Sequence, residues 1–160
     1  MQDGTFESKE LFNKAEASIR RGNFGRAAKF LRSALKIDPE NPVYLSHLGL
    51  CIGLNGNKLE GEEICRKAVE LSSRNPVLLV NLGRILVAQN RRREAWECFT
   101  RAYKMDNTNA PAALELSRMG VRKKPMLPFL SRNHPLNIKL GIWRHKLREY
   151  HRRRKEENKI

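Results

Sequence analysis

The chain has 160 residues and a mass of 18.5 kDa, a length for one domain, and its 40% of hydrophobic residues exclude wholesale disorder. Lys and Arg number 32 against 17 Asp and Glu, so the net charge is +15 and the pI near 10.3. That balance favours an acidic partner, without choosing between nucleic acid, anionic membrane and acidic protein.

The predicted elements begin near Ser8. Residues 8–41 carry Leu11, Phe12 and Ala15 in a first helix. Ala27, Phe30, Leu31, Ala34 and Leu35 follow at i, i+3, i+4, i+7 and i+8, one apolar stripe on a second helix. Gly22 lies between them, where a tight turn needs unusual backbone angles. Asp38-Pro39 and Asn41-Pro42 close this hairpin and open the next. Proline suits the first helical position and the preceding Asn can cap.

Residues 42–75 and 76–109 repeat the scheme at a step of 34. Leu11, Leu45 and Leu79 keep register, as do Ala15, Gly49 and Gly83. The second helices align Ala27, Gly61 and Ala95; Leu31, Cys65 and Phe99; and Ala34, Ala68 and Ala102. Phe30, Ile64 and Cys98, and Ile37, Leu71 and Met105, are apolar columns, and Gly56 and Asn90 take the turns. Asn109-Ala110 starts a fourth first helix over 110–120, with Ala113 and Leu116, which then fails as the capping end of a solenoid should. Gly49 and Ala68 are small where two backbones must approach closely.

These columns resemble the tetratricopeptide repeat family. The family pattern W-x2-L-G-x2-Y, then A-x3-F and a small residue, is met by Leu45, Leu48, Gly49 and Ile52, and by Leu79, Leu82, Gly83, Leu86, Ala95, Phe99 and Ala102. The first copy is weak at Lys14-Ala15 and strong at Ala27, Leu31, Ala34 and Pro39; the second departs at Gly61 and Cys65. The resemblance implies an all-α, right-handed superhelical solenoid of antiparallel helix pairs over 8–120. It implies a non-enzymatic scaffold that binds a peptide or helix of another protein in a groove lined by the first helices. Asn13, His47 and Asn81 form a polar column on that face. In the family an Asn here often bonds a peptide backbone; simple solvation is the other reading. Phe12, Leu50, Val77, Val80 and Arg84 lie nearby in register and would give a mostly apolar groove with one cation. Some chaperone-binding members clamp a C-terminal carboxylate with Lys, Asn and Arg; Phe12 and Glu16 stand where a Lys and an Asn are wanted, so that clamp is not expected.

Composition changes after Gly120. Residues 122–160 hold 13 Lys and Arg against 3 Asp and Glu, a net of +10. Residues 121–136 include Pro125 and Pro128, which bar a regular helix and make an apolar linker. From Asn137 to the end a basic amphipathic helix is expected, since Leu136, Leu140, Trp143, Leu147 and Tyr150 share one face. Its candidate contacts are Arg144, Lys146, Arg148, Arg152, Arg153 and Arg154. Packing of this stripe at home, binding of nucleic acid by counterion release, and an interfacial membrane helix all remain open.

No catalytic constellation assembles. Cys51, Cys65 and Cys98 form no C-x-x-C pair, and the four histidines lack metal-helix spacing, so neither enzyme activity, cofactor nor metal is expected. No run approaches the roughly 20 apolar residues of a membrane span. Residues 1–8 have neither the basic nor the apolar part of a secretory leader, and three cysteines suit no disulfide framework. A cytoplasmic location is expected.

Overall fold

The computed structural model describes residues 2–120 and, beyond them, Pro135, Leu136, Lys139, Leu140, Trp143, Tyr150 and Arg154. The helices are α1 (Gln2–Arg20), α2 (Phe24–Ile37), α3 (Pro42–Leu54), α4 (Lys58–Leu71), α5 (Pro76–Ala88), α6 (Arg92–Met105) and α7 (Ala110–Met119), and the described residues hold no strand. The seven beyond Gly120 are helical, and belong to a second unit, Val121–Ile160. Of the expected linker at 121–136, residues 121–134 lie outside the described residues, as do the contacts Arg144, Lys146, Arg148, Arg152 and Arg153, while Pro135 and Leu136 at its end are helical.

Local chemistry sets the boundaries. Asn41, Asn75 and Asn109 each accept a hydrogen bond at the side-chain oxygen from the first turn of the helix they open, at 2.9–3.2 Å from the N–H groups of Val43, Tyr44, Val77 and Ala112. Asn90 turns within the third pair at φ 63°, a conformation Gly22 adopts in the first at 74°. The first helix starts earlier than the repeat register. Ser8 occupies the column of Pro42 and Pro76, so nothing stops α1 from running back to Gln2.

Helices pair as α1–α2, α3–α4 and α5–α6, and each second helix packs on the next first helix. Two adjoining cores result. One gathers Ala15, Ala27, Leu31, Ala34, Tyr44, Leu48 and Cys51; the other gathers Leu50, Cys65, Leu79, Leu82, Ile85, Phe99, Ala102 and Ala112. Ala34, Ala68 and Ala102 are fully buried, as a small-residue column at a helix crossing should be. Ile37, Leu71 and Met105 recur as expected but stay half-exposed, since each lies at the end of a second helix where the chain turns away.

The second copy departs from its neighbours at Gly61 and Cys65 for one reason. A Cβ on Gly61 would lie 2.5 Å from the Gly49 carbonyl oxygen, and 2.6 and 2.7 Å from the Gly53 nitrogen and Cα. Here α3 and α4 touch backbone to backbone, and the gap that holds Phe99 in the third pair shrinks to fit the Cys65 thiol.

Candidate functional site

The first helices are joined in sequence by side chains. The Phe12 ring of α1 lies 5.0 Å from Tyr44 and 4.9 Å, edge-on, from His47 of α3. Asn81 of α5 donates to the Ser46 hydroxyl of α3 at 3.0 Å. The Arg84 Nε donates to Glu115 of α7 at 2.9 Å, and Arg118 stands 3.6 Å from the same carboxylate.

This arrangement divides the eight expected groove residues. Asn13 and Val77 are exposed, and Phe12, His47 and Arg84 are half-buried. Leu50, Val80 and Asn81 are not on an open face: they are 2%, 3% and 2% exposed. Leu50 and Val80 fill the second core, because α5 packs directly on α3 at this level. Asn81 is spent inside the same contact. Its polar column is therefore three environments, from exposed Asn13 through half-buried His47 to buried Asn81. Asn81→Ala is expected to cost about 1–3 kcal/mol, because it strips a partner from the fully buried Ser46 hydroxyl. Urea unfolding of the full chain measures this; an unchanged midpoint would return Asn81 to the open face.

His47 has defined chemistry. Its Nδ1 lies 2.8 Å from the Val43 carbonyl oxygen, which only accepts, so Nδ1 carries the proton. Burial pushes the imidazole below its ordinary pKa, against the Val43 bond and the Glu16 charge, while the Arg84 charge lowers it further. At neutral pH the ring is uncharged, and Nε2 is an acceptor. Glu16, Glu115 and Tyr44 join this face without having been singled out as binding residues. Glu115 was legible: it continues the column of Asn13, His47 and Asn81 by one more step of 34. It neutralises Arg84, the single cation expected in the groove.

The second helices carry a different cluster. Glu62 is 10% exposed at its side chain and bonds Arg66 at 2.7 Å and Arg91 at 2.7 Å. Burial alone would raise its pKa; hydrogen bonds from Arg66, Gln89 and Arg91 outweigh that and hold the carboxyl below the usual range. Arg91 also pairs with Glu94, and through its bond to Glu62 this partly exposed cation joins the second and third repeats. The thiols of Cys51 and Cys65 are buried and pushed up to about 12 by that burial, which makes them inert.

Residues 8–41 and 78–111 match family models described as tetratricopeptide repeat. The chain is a tetratricopeptide repeat protein. Its helix pairs form the right-handed superhelical solenoid of that family. No curated protein sequence matches it. Among solved structures, the first tetratricopeptide repeat domain of Spaghetti (RPAP3), bound to the HSP90 peptide SRMEEVD, is similar at 20% identity and TM-score 0.60, over 71% of this chain and 92% of that one. The Sgt2 domain from Aspergillus fumigatus is 20% identical with TM-score 0.61, over 71% and 76%. The second such domain of human RPAP3, in complex with the HSP70 peptide SGPTIEEVD, is 16% identical with TM-score 0.58, over 74% and 99%. At these identities the likeness is one of fold. None of the described helices is long and apolar enough to cross a membrane.

Proposed function

We propose that this chain is a non-enzymatic scaffold whose first-helix face binds an extended peptide or a helix of a partner protein, through apolar and uncharged polar contacts. The observation that carries the reading is the face made by Phe12, neutral His47 and exposed Val77, beside an Arg84 already paired with Glu115. The Spaghetti and human RPAP3 domains hold peptides ending in EEVD. A like peptide would bring several negative charges here to Phe12 and Glu16, with no free cation among those side chains. The partner segment is therefore taken to be apolar and not acidic, with an N–H or O–H for the His47 Nε2.

Peptides selected from a random library on the full chain provide the test. Those that bind the face should weaken about tenfold or more against Val77→Lys and His47→Ala, both at positions with partial exposure. A peptide ending in EEVD should show no saturable binding at micromolar concentration. Tight EEVD binding, or selected peptides indifferent to both substitutions, would overturn the assignment.

A further inference from the structure

Among the described residues of the second unit are exposed large apolar side chains. Leu136, Leu140, Trp143 and Tyr150 are helical, and their sequence spacing, at the 100° per residue of a helix, predicts that they share a face about 80° wide. Trp143 is 58% exposed, with Leu136 at 51% and Tyr150 at 58%. A half-exposed Trp on a stripe of Leu and Tyr is costly to leave wet, and aromatic residues with a polar ring atom suit an apolar–aqueous boundary. The sequence surrounding the stripe supplies the charge: 122–160 carries 13 Lys and Arg against 3 Asp and Glu. Lys139 and Arg154 are both helical and exposed.

We propose that the segment 136–154, as the amphipathic helix its sequence pattern predicts, lies in the headgroup region of an anionic lipid surface, with Leu136, Leu140, Trp143 and Tyr150 inserted and its cations on the lipid phosphates and carboxylates. This goes beyond the groove reading and does not depend on it. Among outside partners three occupants compete for such a helix, and two fit less well. Duplex nucleic acid would use the cations and leave Leu136, Leu140 and Trp143 in water. A second copy would have to join two segments of net +10, over an apolar spacing shorter than the three or four heptads a coiled coil needs. An anionic bilayer surface uses both features at once: apolar burial, and attraction for Lys and Arg near the membrane.

The chain has two Trp, so Trp96→Phe in the full-length protein leaves Trp143 as the only indole. Vesicles of phosphatidylcholine with about one-third phosphatidylserine are the probe, beside phosphatidylcholine alone and a duplex oligonucleotide. The expected result is a blue shift of Trp143 emission and co-sedimentation with the anionic vesicles only, both falling as salt is raised from about 50 to about 500 mM. Trp143→Ser, in the otherwise natural chain, should lower partitioning roughly tenfold or more while leaving the melting curve in place. Trp143 emission unmoved by anionic vesicles would overturn the proposal. So would undiminished vesicle binding by Trp143→Ser, or a blue shift that follows protein concentration without vesicles. Oligonucleotide binding with no response to vesicles would reassign the tail to nucleic acid.

Discussion

Gly61→Ala should destabilise the solenoid by about 3 kcal/mol, the upper end of overpacking costs. Helix propensity argues the other way. Gly61 lies within α4, and replacing a helical glycine by alanine usually gains up to about 1 kcal/mol. Sterics decide the sign. The added Cβ would meet Gly49 oxygen at 2.5 Å, Gly53 nitrogen at 2.6 Å and Gly53 Cα at 2.7 Å. All three are main-chain atoms of α3, so no side chain can swing aside and the two helices must separate. Separation would also open space around Cys65 and Cys51, both fully buried. Gly25→Ala is the control: it is also helical, and its nearest neighbour, the Asn55 side-chain oxygen, would be at an ordinary 3.8 Å. That variant should be neutral or gain less than about 1 kcal/mol. Urea unfolding of both full-length variants gives the comparison. Equal stability for Gly61→Ala and the unsubstituted chain would mean that α3 and α4 do not touch as described.

The fold was open to sequence reading because the solenoid is built from local contacts. Each helix meets its chain neighbours, so a step of 34 records in one dimension what packs in three. Capping by Asn41, Asn75 and Asn109, the turn at Asn90 and the alanine column at Ala34, Ala68 and Ala102 all follow from residue chemistry at fixed spacing. The site was less open. A column shares position, but not burial. His47 and Asn81 hold equivalent places, yet Asn81 is covered where α5 packs on α3, and Leu50 and Val80 go under with it. Pairing hid the charge as well, since Arg84 reads as a free cation until Glu115 is found 2.9 Å away on α7. Periodicity finds which residues face the same way. It does not find which neighbour has arrived to cover them.

Phe99→Ala should cost about 3–5 kcal/mol, and how that loss can be offset tests the packing rule behind the repeats. Phe99 is fully buried, with its ring directly over Gly83: a Cβ there would stand 2.5 Å from Cε1 and 2.8 Å from Cζ. Truncation empties the crossing of α5 and α6 beside Leu79, Leu82 and Leu86. The same two columns hold Ala15 with Leu31 in the first repeat and Gly49 with Cys65 in the second, all buried. One side of the crossing can grow only as the other shrinks. Gly83→Ala alone should therefore lose about 1–3 kcal/mol by collision with the ring. Phe99→Leu alone should lose about 1–2 kcal/mol to the space it leaves. Combined, they rebuild the Ala15–Leu31 pairing, and the added methyl enters the vacated volume. The double variant should lie within about 1 kcal/mol of the unsubstituted chain, well short of the summed single losses. Denaturant unfolding of the four proteins closes the cycle. Simple additivity would show that Gly83 and Phe99 do not share one space, and that the columns align for some reason other than complementary volume.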